Sequence, residues 1–251
     1  MFKTILHLGQ LIVLMVIIIF LLNLKNTAKG QHKAHVLFIT GQGNKSADHP
    51  YHSWKHDFPN HLLTLVNQDI ADFTVVEDLT EIEQFTHYDL IINNGLFQSP
   101  GKQQFEDFLQ AIKDGVPYLA LHAGLVQFSD DPRYQQLIGA QYIHHDEIKT
   151  FTVQPYDAWY GWEQAGRKRH PITRGIDEFT ILDELYLMQP ITDKIEVLAR
   201  AELHPIMWVR PWGRGKVLVL TLGHDAYSQQ NPGFQSLFRN ALLWLTDRPV
   251  Q

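Results

Sequence analysis

Between residues 31 and 251, short runs of β-branched and other apolar residues alternate with stretches whose apolar positions recur every three or four residues. His35 to Thr40, ending at Gly41, reads as a buried strand closed by a glycine loop. Pro59 to Gln68 carries Leu62, Leu63, Leu65 and Val66 and reads as an amphipathic helix. Asp72 to Glu77 and Tyr88 to Asn93 are the next strands, the latter broken by Asn94-Gly95. Pro100 to Lys113 places Phe105, Phe108, Leu109 and Ile112 on one helical face, with Pro100 as a start signal and Asp114-Gly115 as a stop. Val116 to His122 is a fourth strand, apolar on both faces. Strands that are apolar throughout and alternate with helices predict a parallel sheet covered by helices on both sides.

The pattern changes after residue 145. Ile148–Pro155, Glu178–Met188, Ile195–Glu202, Ile206–Pro211 and Lys216–Gly223 read as strands with few helices between them, and they predict antiparallel strands added at the sheet edge. Phe234–Leu245 closes the chain as a helix with Leu237, Phe238, Ala241 and Leu242 inward. With no repeat and no low-complexity linker, residues 31–251 form one α/β domain.

The first thirty residues differ. Residues 4–24 lie between Lys3 and Lys25, and Leu11–Leu22 contains no polar side chain. A helix of about 20 residues spans a hydrocarbon core of ~30 Å, so residues 1–30 read as an uncleaved signal anchor. A cleaved signal is the rival reading, but Thr27-Ala28 and Gly30 match its small-x-small site poorly. Lys25, Lys29 and Lys33 would by the positive-inside rule keep the domain cytoplasmic. The very short tail ahead of the apolar run instead resembles an export signal, and the expectation favours an exported, periplasm-facing domain.

Charge and composition narrow the chemistry. The chain has 21 Lys and Arg against 27 Asp and Glu. Setting aside Lys3, Lys25 and Lys29 leaves 18 basic side chains in the domain, a formal −9. Such a domain has no basic face for nucleic acid. The absence of cysteine excludes disulfides, thiolate metal sites and a thiol nucleophile, whereas histidine is plentiful at 14 residues.

In open α/β sheets, ligands bind beyond the carboxyl ends of the strands. Thr40 to His56 follows the first strand, Asn93-Asn94-Gly95 the third, His122-Ala123-Gly124 the fourth and Gly223-His224-Asp225 the last. Two strand ends deliver a histidine beside a small residue, which points to a site. Bland alternatives stand beside each: His122 as a buried plug, His224-Asp225 as a loop cap, His144-His145-Asp146 as a polar turn, Asp183-Glu184 as a solvated strand face. Trp54, Trp159, Trp162, Trp208 and Trp212 each read first as packing. Gly41-Gln42-Gly43 lacks the third glycine of a dinucleotide fingerprint, because position 46 is serine.

Several motifs then fall in order along residues 35–247. His52-Ser53-Trp54-Lys55 is similar to an H-D-W-K motif with serine for aspartate, and His56-Asp57 offers a second register. Leu121-His122-Ala123-Gly124, Leu137-Ile138-Gly139-Ala140 with His144-His145, and His170-Pro171-Ile172 with Gly175-Ile176 and Asp183-Glu184-Leu185-Tyr186 follow. Trp208, then Trp212 to Val217, and Leu222-Gly223-His224-Asp225 complete the set. In these the chain resembles the trehalose-utilisation (ThuA-like) family. The resemblance implies a class I glutamine-amidotransferase-like, flavodoxin-type fold: a doubly wound, mostly parallel sheet with helices on both faces. It also implies a role in disaccharide and sugar metabolism, often beside oxidoreductases that make 3-keto sugars. Amidotransferases of this fold carry a catalytic cysteine just after the strand that here ends at His122. This chain has none, so thiol-based glutamine hydrolysis is excluded.

The expected site has His122, Glu184 and His224 as catalytic residues, with Glu184 orienting an imidazole that acts as general acid or base. His52, Trp54, Asn93, Asn94, His145 and Asp225 are expected to bind the substrate. An ordinary glycosidase needs two spaced carboxylates, for which Glu184 and Asp225 are the only nominees. A divalent metal on His122, His145 and His224 with a carboxylate is a second expectation, made without support from any H-x-x-x-H helix motif. A non-catalytic carbohydrate-binding or scaffolding domain is the third. The expected partner is a small-molecule sugar, with the membrane reached through the N-terminal helix and a homo-oligomer left open.

Overall fold

A computed structural model of the chain describes residues 33–41, 58–77, 79–96, 100–155 and 170–250. The expected anchor at residues 1–30 and the expected ligand residues His52 and Trp54 lie outside them, as do Trp159 and Trp162. Among the described residues, no helix is long and apolar enough to cross a membrane.

The chain from Ala34 onward is one compact unit. Its elements run β1 (Ala34–Ile39), α1 (Phe58–Leu65), β2 (Ala71–Val76), β3 (Leu90–Asn93), α2 (Lys102–Lys113), β4 (Tyr118–Leu121), α3 (Pro132–Ile138), β5 (Ala140–His145) and β6 (Lys149–Pro155). They continue through β7 (Phe179–Asp183), β8 (Tyr186–Pro190), β9 (Glu196–Ala201), β10 (His204–Trp212), β11 (Gly215–Leu220), α4 (Ala226–Gln229) and α5 (Pro232–Leu245). Nine strands form one sheet in the order β2-β1-β3-β4-β11-β10-β9-β6-β7, and β5 pairs with β8 in a separate two-stranded sheet. The first five in that order are mutually parallel. Antiparallel pairing then takes over from β11 to β7, so β9 and β7 point the same way as the first five while β10 and β6 run opposite. The sheet is thus mostly parallel, extended by antiparallel strands.

The strand sequences explain why both faces are covered. Successive side chains point to opposite faces, and both sets here are apolar. Val36, Phe38, Leu119, Leu121, Leu218 and Leu220 pack on one side with Leu63 of α1 and Phe234, Leu237 and Phe238 of α5. Leu37, Ile39, Tyr118, Ala120, Val217 and Val219 pack on the other with Phe105 and Phe108 of α2 and Tyr134 and Leu137 of α3.

Two local readings are corrected. Residues 178–188 are two strands in different sheets, because the chain breaks at Glu184-Leu185, where the buried Asp183 side chain accepts a hydrogen bond from Glu184 N (2.8 Å). Residues 132–145, read above only through motifs, form α3 and β5. The helix has seven residues, too few for its period to stand out. It is set by local chemistry: Pro132 occupies the first turn, the Asp131 carboxylate accepts from Arg133 N (2.8 Å), and Gly139 ends the helix at φ 77°. Asp131→Ala should lower stability by about 0.5–2 kcal/mol, read as a shift in the urea midpoint at unchanged slope. Arg133 holds the Asp131 carboxyl below its usual 3.8, so the contribution is present at neutral pH and fades as the pH falls through that lowered value.

Across a flat sheet with strands ~4.8 Å apart, β11 and β7 would be separated by roughly 19 Å. Yet Asp183 Oδ2 at the end of β7 lies 2.8 Å from Gly223 N just past β11. The carboxyl end of β7 and the segment that follows β11 are thus brought together across the antiparallel strands, and this approach assembles the site.

Candidate active site

The site begins where β4 runs out. His122 follows Leu121 directly, opens a 3₁₀ turn and sits at φ 40°, in the left-handed region that a non-glycine residue rarely adopts. Its side chain is fully buried. Nδ1 lies 2.9 Å from the Thr221 carbonyl oxygen, which can only accept, so Nδ1 carries a proton, and in the neutral ring the lone pair is at Nε2. Around that Nε2 are His224 Nδ1 at 3.2 Å, Tyr186 Oη at 3.3 Å and Glu184 Oε2 at 3.5 Å. His224 Nδ1 lies 3.3 Å from the same Glu184 oxygen. Three reactive atoms from the ends of β4, β7 and β11 thus form a nearly equilateral triangle.

Asp183 fixes two corners of the triangle. Its Oδ1 accepts from Glu184 N (2.8 Å) and His224 N (3.2 Å), and its Oδ2 from Gly223 N (2.8 Å). The backbone at Gly223 has φ 111°, a conformation that glycine permits and that presents consecutive N–H groups to one carboxylate. Burial pushes the Asp183 carboxyl up to about 7, against the opposing pull of these three N–H donors. At His224 desolvation acts to lower the pKa, but the hydrogen bond and charge of Glu184, with Asp183 and Asp225 behind, override it, so the net shift is upward. Burial, then the Glu184 charge, raises the Tyr186 phenol well above its usual value and keeps it a neutral hydroxyl.

The remaining expected residues divide. His145, at the end of β5, joins the cluster: Nδ1 is 3.6 Å from Glu184 Oε1 and 3.0 Å from the Asp146 carbonyl, and its ring stacks on Tyr186 at 5.5 Å between centroids. Asn93 is buried, with its amide donating to Tyr118 Oη (3.3 Å) and accepting from Gly95 N (3.0 Å). Asn94 is buried beside it, its N–H bonded to the Ile39 carbonyl (2.8 Å). Asp225 accepts at 3.0 Å from both Tyr227 N and Ser228 N and so caps the short α4. Trp208 is a core residue whose indole donates to the Ile138 carbonyl (2.8 Å). Sequence reasoning missed three partners: Tyr186, Asp183 as a brace and the Thr221 carbonyl. Tyr186 had a signal, two residues beyond Glu184. The Thr221 carbonyl had none, because a backbone atom leaves no mark in residue identity.

The described residues thus define a mixed α/β domain: a mostly parallel sheet covered on both faces, with a buried His/Glu cluster beyond the carboxyl ends of its strands. The trehalose-utilisation (ThuA) family model matches residues 35–245, and the chain belongs to that family. No curated protein matches it by sequence. A putative ThuA-like protein from Parabacteroides merdae is similar in structure, with TM-score 0.71, 18% identity and coverage of 88% of this chain and 92% of that one. A putative ThuA-like protein from Bacteroides uniformis gives TM-score 0.63 at 17% identity, covering 84% of this chain and 91% of that one. The β-galactosidase of Bacillus circulans sp. alkalophilus gives TM-score 0.56 at 12% identity, with 86% of this chain matching 32% of that one. At these identities the likeness is one of fold.

Proposed function

We propose that this member of the trehalose-utilisation family is a carbohydrate-active enzyme that cleaves or isomerises a disaccharide or its keto form at the His122–Glu184–His224 cluster. The observation that carries the reading is the convergence itself. Three polar side chains from three strand ends meet in a nearly dry setting, where side-chain exposure is 0% for His122, 13% for Glu184 and 12% for His224. Burying them costs desolvation, and holding His122 at positive φ costs about 1–3 kcal/mol more. Chemistry beside a sugar carbonyl requires a proton to leave carbon and another to reach the departing oxygen, and imidazole and carboxylate groups in contact supply both roles. Tyr186, a neutral hydroxyl against His122 Nε2, and His145, at the rim, add a donor and an adaptable imidazole. A two-carboxylate glycosidase reading is weaker, because the Asp225 carboxylate already caps α4. Delivery to a membrane through residues 4–24 belongs to the same proposal.

Incubating the purified chain with trehalose, sucrose and their 3-keto forms should release monosaccharide or an isomer from at least one of them. His122→Ala and His224→Ala should each reduce that turnover by about 100-fold or more. Undiminished turnover in both would remove the cluster from the chemistry. Disaccharide binding with no product would make the domain a carbohydrate-binding module instead.

A further inference from the structure

The triangle His122 Nε2, His224 Nδ1 and Glu184 Oε2 has a second property besides proximity. Its edges are 3.2, 3.3 and 3.5 Å. Zinc bonded at about 2.0–2.1 Å in tetrahedral geometry separates its ligands by about 3.3–3.4 Å. Three ligands on one face of an octahedron at a similar bond length would lie about 3.0 Å apart. The observed edges match the tetrahedral face. We infer that these three atoms, resting on the catalytic cluster proposed above, are the ligands of a divalent transition-metal site of zinc type, with a fourth position open.

Three further features fit. First, both imidazole atoms face the carboxylate oxygen, and these are the only His/Asp/Glu atoms among the described residues grouped within 4.8 Å in this way. Second, His122 gives its other ring proton to the Thr221 carbonyl (2.9 Å), which fixes the tautomer and aims the Nε2 lone pair into the triangle; metal-bound histidines are held this way. Third, the Asp183 carboxylate locks the backbone at both Glu184 and His224, so two of the three ligands are placed before any ion arrives. Two neutral imidazoles and one carboxylate are the ligand set of two-histidine, one-carboxylate zinc enzymes, and they leave a divalent ion net positive toward a substrate oxygen. The Tyr186 hydroxyl, 3.3 Å from His122 Nε2, borders one corner of the triangle. His145 Nδ1 reaches only Glu184 Oε1, the oxygen that is not a ligand, so it orients the carboxylate and stands outside the ligand set. A bound ion would supply Lewis-acid polarisation of a substrate oxygen, and proton transfer would then fall to Tyr186 and His145.

The test is zinc titration of the metal-stripped full chain, with elemental analysis after desalting and visible absorption after cobalt(II) loading. One ion per chain is expected, with the intense absorption of four-coordinate cobalt. Glu184→Gln, which keeps size and shape, and His224→Ala should each weaken zinc binding on the order of 100-fold or more, with circular dichroism reporting retained fold. Absence of stoichiometric zinc, or equal affinity in both variants, overturns the site. The outcomes also separate this inference from the sugar reading. Turnover untouched by chelation and by metal loading removes the metal and leaves the acid–base enzyme. Tight, variant-sensitive zinc without turnover of any sugar removes the proposed substrate and leaves the metal site.

Discussion

Gly124→Ala is expected to destabilise the protein by about 3 kcal/mol, the upper end of the usual cost of overpacking, and to disable the cluster with it. The turn after β4 lies flat against the end of β3. A Cβ on residue 124 would sit 1.9 Å from the Asn93 carbonyl oxygen and 2.6 Å from its carbon. Both are backbone atoms, in a strand whose Asn93 pairs with Ala120 of β4, so neither can rotate away. The Gly124 carbonyl is also fixed from below, where it accepts from the Tyr134 hydroxyl. Relief must come from lifting the turn off β3. That movement begins two residues from His122, whose φ of 40° and bond to Thr221 depend on the turn. For a domain of this size, about 3 kcal/mol corresponds to a fall in Tm of roughly 6–12 °C. An unchanged Tm with unchanged turnover would show that the turn does not hold the histidine.

Which parts of this were legible in the sequence follows from the kind of signal each leaves. The β1 to β4 half was readable because its strands are apolar on both faces and its helices carry amphipathic repeats, two patterns that local composition alone imposes. His122 and His224 were readable for a related reason. They directly follow buried runs, and chain order places them at strand ends. Glu184 was harder, because the apolar stretch around it reads as one continuous strand, and the break depends on Asp183 turning inward to collect backbone donors. That inward turn is a tertiary event: its partners Gly223 and His224 lie about 40 residues on. Asn93 and Asp225 show the converse. Position put them at the right rim, but whether an amide or carboxylate meets a ligand or a neighbouring N–H depends on geometry of a few ångströms. The approach of the β7 end to the segment after β11 has no counterpart in any local pattern, and it is what sets Glu184 beside both histidines.

The second large effect is expected at Asp183. Asp183→Asn keeps the shape of the side chain but replaces one acceptor oxygen with an N–H₂ group. In its better orientation the amide oxygen still accepts from Glu184 N and His224 N, and the new donor then faces the Gly223 N–H. Rotating the amide spares Gly223 and strands the other two donors. Either way a buried donor loses its partner, at a cost of about 1–3 kcal/mol, while Asp183→Ala strands all three. The functional loss should exceed what stability explains. Glu184 and His224 lie 40 positions apart along the chain but are tied to one carboxylate, and the separation of their reactive atoms, 3.3 Å, depends on that tie. A displacement near 1 Å is enough to reduce turnover by about 100-fold in a positioned site. Turnover of the sugar substrate should therefore fall at least about tenfold in Asp183→Asn at a temperature where circular dichroism shows variant and parent equally folded. Equal turnover under those conditions would leave Asp183 as a stabilising bond alone; a loss there identifies it as the residue that positions the cluster, since incomplete folding cannot account for a defect in a fully folded population.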